Sequence, residues 1–189
     1  MSLDLSTLAD GELATLSIAR RDAAFAEIVR RHRDALYRLA LASLADPDDA
    51  LDVVQETFVA AHGALRRFDP ARPMRPWLAR IALNRCRDRL RRRKVRRILM
   101  PFGIADNPVE LVADDAPGHD IVASDRQELA RTMLAISELP AAIREPMVLR
   151  AIEGLSQSEA AEALGISEKA VETRLRRARD KLRQALATG

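Results

Sequence analysis

The chain predicts an all-α protein: two small helical domains joined by a flexible linker, the second containing a helix-turn-helix. Three observations predict it. Aromatic residues make up only 3% of the 189, while Leu, Ala and Arg dominate, a composition that favours helices and is poor in strand formers. No segment alternates with period two over a useful length, whereas apolar residues recur at helical spacing along most of the chain. From about Ile98 to Ala123 that pattern breaks. Pro101, Gly103, Pro108, Pro117 and Gly118 interrupt it, and Asp106, Asp114, Asp115 and Asp120 make it acidic, as in a linker. The expected division is residues 8–97, a linker over 98–123, and residues 124–187.

In the first domain a short helix is expected from about Ala9 to Ala19. A long second helix carries Phe25, Ile28, Val29, His32, Leu36, Leu39 and Ala40 on one face. Asp46-Pro47 starts a third, with Asp as N-cap and Pro as first helical residue. Val53, Val54, Phe58 and Ala61 face inward from it. Phe68 to Pro76 holds three prolines and reads as a loop. A fourth helix is expected to begin near Arg75 to Trp77 and run into an arginine tract. Helical periodicity resumes at Ser124. Pro140 opens a further helix with Ile143, Met147, Val148 and Ile152 inward.

The next stretch carries the chemistry. Ser156-Gln157-Ser158-Glu159 is a capping box, in which the serine hydroxyl and the glutamate satisfy each other's backbone N–H groups. Gly165 ends that helix in a left-handed conformation, and Ser167 caps another. In this last helix Val171, Leu175, Ala178 and Leu182 face inward, while Lys169, Thr173, Arg176 and Arg177 point the opposite way. From Lys169 to Arg183 there are seven basic residues against two acids, Glu172 and Asp180. Most basic helix faces only solubilise. Joined to a short turn after a capped helix, this one has the residue types that reach base edges and phosphates in a major groove.

A second basic surface precedes the linker. Arg80 to Arg97 holds ten basic residues and one acid, Asp88. Leu78, Ile81, Ala82 and Cys86 form its apolar stripe, with Arg80, Asn84, Arg87 and Arg91 on the other side. Like charges this dense repel along a helix, and a polyanion relieves them. Trp77, beside a proline-rich loop, has the flat face an unpaired base stacks on, although a lone tryptophan is more often core.

The start of the third helix is acidic instead. Asp48, Asp52 and Glu56 share a face at i, i+4, i+8. Favourable interaction with the helix dipole, a weak cation site, or a protein-docking face each fits, and charge alone does not choose.

Composition excludes other classes. The net charge of +3 and pI near 9.6 conceal segregated clusters that suit a polyanion partner. Cys86 is the single cysteine, so no internal disulfide forms. His32, His62 and His119 lack metal-ligand spacing. No apolar run approaches membrane-spanning length and no signal pattern opens the chain, so a soluble cytoplasmic protein without membrane insertion is expected. A nuclease or recombinase acting through Asp48, Asp52 and Glu56 lacks a second carboxylate set or an activated nucleophile.

Together these stretches resemble extracytoplasmic-function sigma factors of bacterial RNA polymerase. DDALDVVQETFVAAHGAL from Asp48 resembles the family's polymerase-docking segment. FDPARPMRPWLARIALNRCRDRLRRR from Phe68 resembles its segment for melting and reading the minus-ten element. LPAAIREPMVLRAIEGLSQSEAAEALGISEKAVETRLRRARDKL from Leu139 resembles its minus-thirty-five-reading domain. The resemblance implies that Asp48, Asp52, Gln55 and Glu56 dock on core RNA polymerase. It implies that Trp77, Arg80, Asn84, Arg87 and Asp88 meet single-stranded minus-ten DNA, with Asn84 lining the pocket of a flipped base and the Phe68–Arg75 loop capping it. Lys169, Glu172, Thr173, Arg176 and Arg177 fall on the minus-thirty-five duplex contacts. Glu172 departs from the family's usual Lys or Arg; an acid there can read a cytosine amino group or pair with Arg176. The implied mechanism is binding without catalysis, with no catalytic residue, no cofactor and no metal, under control of an anti-sigma partner. The alternative is a self-sufficient helix-turn-helix repressor or activator, which needs a dimer interface.

Overall fold

The computed structural model describes residues 4–99 and 120–187, which are helical with no strand among them. The expected linker falls mostly on residues 100–119, outside the described residues.

The first bundle has four helices: α1 (Asp10–Ile18), α2 (Asp22–Leu44), α3 (Pro47–Ala64) and α4 (Met74–Leu99). Glu12 reaches back to the Ala9 N–H at 2.7 Å and fixes the start of α1. Asp46 accepts from the Asp49 N–H at 2.9 Å with Pro47 behind it, as its sequence predicts for α3. Helix α4 starts at Met74, slightly earlier than its prolines suggest. Pro76 lies in the first turn, where a backbone N–H has no partner inside the helix, so losing that donor has no cost there.

Helix α2 is the spine, packed by α1, α3 and α4. Leu13, Ile28, Leu39, Val53, Leu78 and Leu83 are fully buried, each contributing about 1.5–3 kcal/mol. Three buried hydroxyls, on Ser17, Ser43 and Thr57, donate to the carbonyl one turn back, so none is orphaned. The expected inward residues of α2 and α3 are buried or half-buried. His32 meets Asp10 rather than a metal, with Nε2 2.8 Å from the carboxylate. Next to it, Arg31 donates to the carbonyls of Leu5, Ser6 and Leu8, strapping the chain's first turn to α2.

The second bundle comprises α5 (Asp120–Glu138), α6 (Ala141–Met147), α7 (Gln157–Leu164) and α8 (Glu168–Ala187). Helix α5 begins four residues before Ser124. After α6 the backbone widens into a π-helical turn over Val148–Ile152, in which the Glu153 N–H donates to the Val148 carbonyl. Helix α8 packs on α5, α6 and α7. The two bundles touch: α7 lies on α4, while α5 and the π turn lie on α2.

Helix α1 also anchors the loop before α4. A Cβ on Gly11 would sit 2.2 Å from the Pro70 carbonyl oxygen, closer than atoms can pack. Gly11→Ala should therefore push α1 off that loop and destabilise the protein by about 1–3 kcal/mol, read as a lowered melting temperature in circular dichroism.

Candidate nucleic-acid interface

The recognition helix is set by three local devices. Ser156 Oγ accepts from the Glu159 N–H at 3.1 Å, and the Glu159 carboxylate accepts from the Ser156 N–H at 2.7 Å. Those bonds hold the Glu159 carboxyl below its usual range. Gly165 then turns the chain at φ +66°, where a side chain is disfavoured. Ser167 caps α8 by accepting from the Ala170 N–H at 3.2 Å. Val171, Leu175 and Ala178 are buried, so Lys169, Glu172, Arg176 and Arg177 stand in solvent, with Thr173 half-buried at their edge. Thr173 donates back to the Lys169 carbonyl at 2.9 Å. Glu172 pairs with Lys169 at 3.0 Å, not with Arg176. Both spacings bring side chains together on a helix, and Lys169 is met here. Arg174, Arg176, Arg177 and Arg179 have no carboxylate partner among the described residues, which leaves a cationic face open for phosphates.

The α4 face differs, because the second bundle lies over part of it. Asn84 is exposed and accepts from Arg87 at 2.9 Å. Arg87 donates through Nε to Glu145 of α6 at 2.6 Å, and that bond raises its pKa. The Arg80 guanidinium reaches the turn between α7 and α8, 3.1 Å from where a Gly165 Cβ would be. Asp88 turns outward to Arg91. Trp77 is half-buried and tilts onto Phe68, ring centroids 5.0 Å apart. Three of the five α4 candidates, Arg80, Asn84 and Arg87, thus gather at the seam, and Trp77 and Asp88 do not. Leu83 and Ala79 are buried too, beyond the expected stripe, because α4 is packed by α2, α3 and α7. Cys86 lies in this buried band near Arg144 and Glu145, and burial pushes its thiol up to about 12, so it is unreactive.

The acids of α3 are not a free face. Arg89 of α4 reaches Asp49 at 2.8 Å, Asp52 at 3.3 Å and Glu56 at 3.1 Å. Arg93 takes Asp46 and Asp49. Asp48 and Gln55 remain exposed with no such partner among the described residues, beside exposed Leu51 and Val59. Among the described residues no group of carboxylates, histidines and cysteines could hold a metal ion.

Sequence reasoning missed the other half of the seam. Glu153, only 4% exposed, faces Arg75 at 3.4 Å and Arg38 at 3.7 Å, and burial pushes its carboxyl pKa up. Arg75 also donates to the Glu153 carbonyl. Glu162 of α7 meets Arg72 at 2.8 Å. Buried Arg144 donates to the Ser137 carbonyl at 2.6 Å, and desolvation lowers its pKa. The signal was available: Glu145 and Glu153 stand among Ile143, Met147, Val148, Leu149 and Ile152, and a carboxylate in an apolar stripe requires a cationic partner.

Two bundles, the first with a cation-rich last helix and the second with a helix-turn-helix, define a class of two-domain DNA-binding protein. Family comparison agrees with it. Residues 28–96 match sigma-70 region 2, and residues 129–182 match sigma-70 region 4. The RNA polymerase sigma factor CnrH of Cupriavidus metallidurans is 47% identical over 179 residues, 92% of each chain. NccH of Alcaligenes xylosoxydans, also an RNA polymerase sigma factor, is 44% identical over 88% of this chain and 91% of its own. The ECF sigma factor SigW of Bacillus subtilis is 35% identical over 86% of this chain and 89% of its own. The solved structure of CnrH with the cytosolic domain of CnrY superposes with a TM-score of 0.70 at 40% identity, covering 96% of this chain and 99% of that one. The chain belongs to the extracytoplasmic-function group of sigma-70 RNA polymerase sigma factors. No helix among the described residues is long and apolar enough to cross a membrane.

The Arg89 pairs change what α3 tolerates. The shared face predicts that Asp52 and Glu56 accept charge reversal at little cost, yet a lysine at 56 would stand against Arg89. Glu56→Gln should cost about 0.2–1 kcal/mol, and Glu56→Lys up to about 2 kcal/mol once repulsion replaces the pair. Urea unfolding of the two variants would measure the gap, and equal stabilities would mean that Arg89 is not held by Glu56.

Proposed function

We propose that this protein binds core RNA polymerase in the cytoplasm and directs it to specific promoters, acting by binding and not as an enzyme. The observation that carries the reading is the pair of cation-bearing helices, α4 and α8, one in each sigma-70 region in family order. Lys169, Glu172, Thr173, Arg176 and Arg177 would read the minus-thirty-five duplex. The solvent-facing Arg176 and Arg177 of α8 support this, since neither has a carboxylate partner among the described residues. Trp77, Arg80, Asn84, Arg87 and Asp88 would form the minus-ten surface, with Asn84 against an extruded base. Asp48, Asp52, Gln55 and Glu56, flanked by exposed Leu51 and Val59, would meet the polymerase. The described relative CnrH was solved with the cytosolic domain of CnrY. A comparable anti-sigma partner would control this chain. The working units are residues 8–97 and 124–187, joined by 98–123.

The isolated chain should bind promoter duplex weakly and gain sequence-specific binding only with core polymerase, because the two DNA surfaces are out of register without it. Tight footprinting by the protein alone would instead make it a self-sufficient regulator. Co-purification with core polymerase tests docking directly, and Asp48→Asn with Gln55→Ala should reduce it without loss of helix content.

The two DNA surfaces should fail at different steps. Arg176→Ala should weaken minus-thirty-five recognition by about 1–3 kcal/mol if the guanidinium contacts a base. Asn84→Ala should slow strand opening, and a template mismatched across the minus-ten region should rescue part of that defect. The Arg176 defect should persist there. Transcription from paired and pre-opened templates compares them, and equal rescue of both variants would remove the distinction.

A further inference from the structure

Every ion pair between the two bundles has the same polarity. Arg38, Arg72, Arg75 and Arg87 come from the first, and Glu145, Glu153 and Glu162 come from the second. None runs the other way among the described residues. Chance pairing between two surfaces that both carry acids and bases would mix the two directions. The first bundle has acids to offer, but its α3 acids are turned away to Arg89 and Arg93. What meets the second bundle is a run of guanidinium groups drawn from α2, the loop before α4, and both halves of α4.

We propose that Arg38, Arg72 and Arg75 extend the minus-ten surface as a phosphate-binding face, and that Glu145, Glu153 and Glu162 occupy this face in the free chain as substitutes for DNA phosphates. The carboxylates sit where an anion bridging these arginines would sit. Glu153 lies between Arg38 and Arg75, and Glu145 takes the Arg87 that also holds Asn84. The fit to a carboxylate is incomplete: Glu153 Oε1 is buried without a hydrogen bond, and its arginines approach no closer than 3.4 Å through their side-chain pairs. Such an anion is displaceable by one that offers more oxygens. The guanidinium groups keep a route to solvent, with side chains 51%, 64% and 42% exposed at Arg38, Arg72 and Arg75. The second bundle therefore contacts Arg80 and Arg87, and through Arg87 borders Asn84, while held by the very charges that DNA would compete for. This inference rests on the sigma-factor reading for the identity of the polyanion.

The test uses the full chain and a fluorescein-labelled fifteen-residue oligothymidylate, read by anisotropy. Glu145→Gln with Glu153→Gln keeps the shape of both side chains and removes their charge. This double variant should bind the oligonucleotide about tenfold more tightly than wild type if nine-tenths of the free chain is closed. Its radius of gyration in small-angle scattering should rise. Adding Arg38→Ala and Arg75→Ala should abolish the gain. It should also lower the slope of log affinity against log salt by about 1.4, two single-strand phosphates at about 0.7 each. Glu162→Lys, at the exposed rim, should shift affinity the same way by a smaller factor, and it decides the matter if the buried variants misfold.

Unchanged oligonucleotide affinity in the opened variants would overturn the proposal. So would a gain that survives loss of Arg38 and Arg75. Core-polymerase binding is measured separately on the same variants and should be retained. If wild type fails to bind core polymerase while the oligonucleotide results hold, the sigma reading falls and the phosphate face stands.

Discussion

The structure is organised around the repulsion stored in the arginine tract of α4. Ten cations between Arg80 and Arg97 repel one another along one helix, and four of them are relieved by carboxylates among the described residues. Arg89 and Arg93 turn to the acids of α3, Arg91 takes Asp88, and Arg87 crosses to Glu145. The first set fixes how α3 lies along α4, and the last fixes where the second bundle lies. Magnitude separates orientation from cohesion. An exposed pair such as Arg91–Asp88 is worth roughly 0–1 kcal/mol, whereas each buried Leu or Ile contributes about 1.5–3 kcal/mol. The apolar core holds the bundles together, and the guanidinium groups decide their angle of approach.

That division explains what could be read from the chain in advance. The Asp46-Pro47 start, the Ser156–Glu159 box, the Gly165 turn and the Ser167 cap are chemistry within four residues, and each appears where the residues place it. Helix faces follow from period alone, so the burial of Val53, Phe58, Val171 and Leu175 was legible too. Pairings at long sequence separation were not. Arg87 and Glu145 are 58 residues apart, and Arg72 and Glu162 are 90. Periodicity says that a side chain faces outward, but not what arrives there. The α3 acids show the difference: their shared face was plain, while their engagement by Arg89 depends on how α4 docks. Trp77 is a milder case, where the neighbour that half-covers it, Phe68, was visible but the contact was not.

The seam also shows how a buried charge is tolerated. Glu145 and Glu153 are nearly without solvent, and Arg144 beside them has a lowered pKa because of desolvation. Removing one partner of such a pair leaves an uncompensated charge, and an apolar pair of the same volume would often hold at least as well. The charges are thus a poor device for maximal stability. They suit the displaceable contact proposed for this seam.

The π turn between α6 and the Glu153 cap has a geometric consequence. Glu145 and Glu153 are eight residues apart, which in a regular helix would leave them about 80° out of phase. The Val148–Ile152 turn, with one residue more per revolution, removes roughly a quarter turn and brings both acids to one side. Residue count there acts as a phase setting. Apart from Arg150, which donates to the Leu155 carbonyl, side-chain identity along the segment is free to drift within apolar limits, but insertion or deletion of a single residue would aim one carboxylate away from the arginines and leave it buried in the hydrocarbon of its own domain.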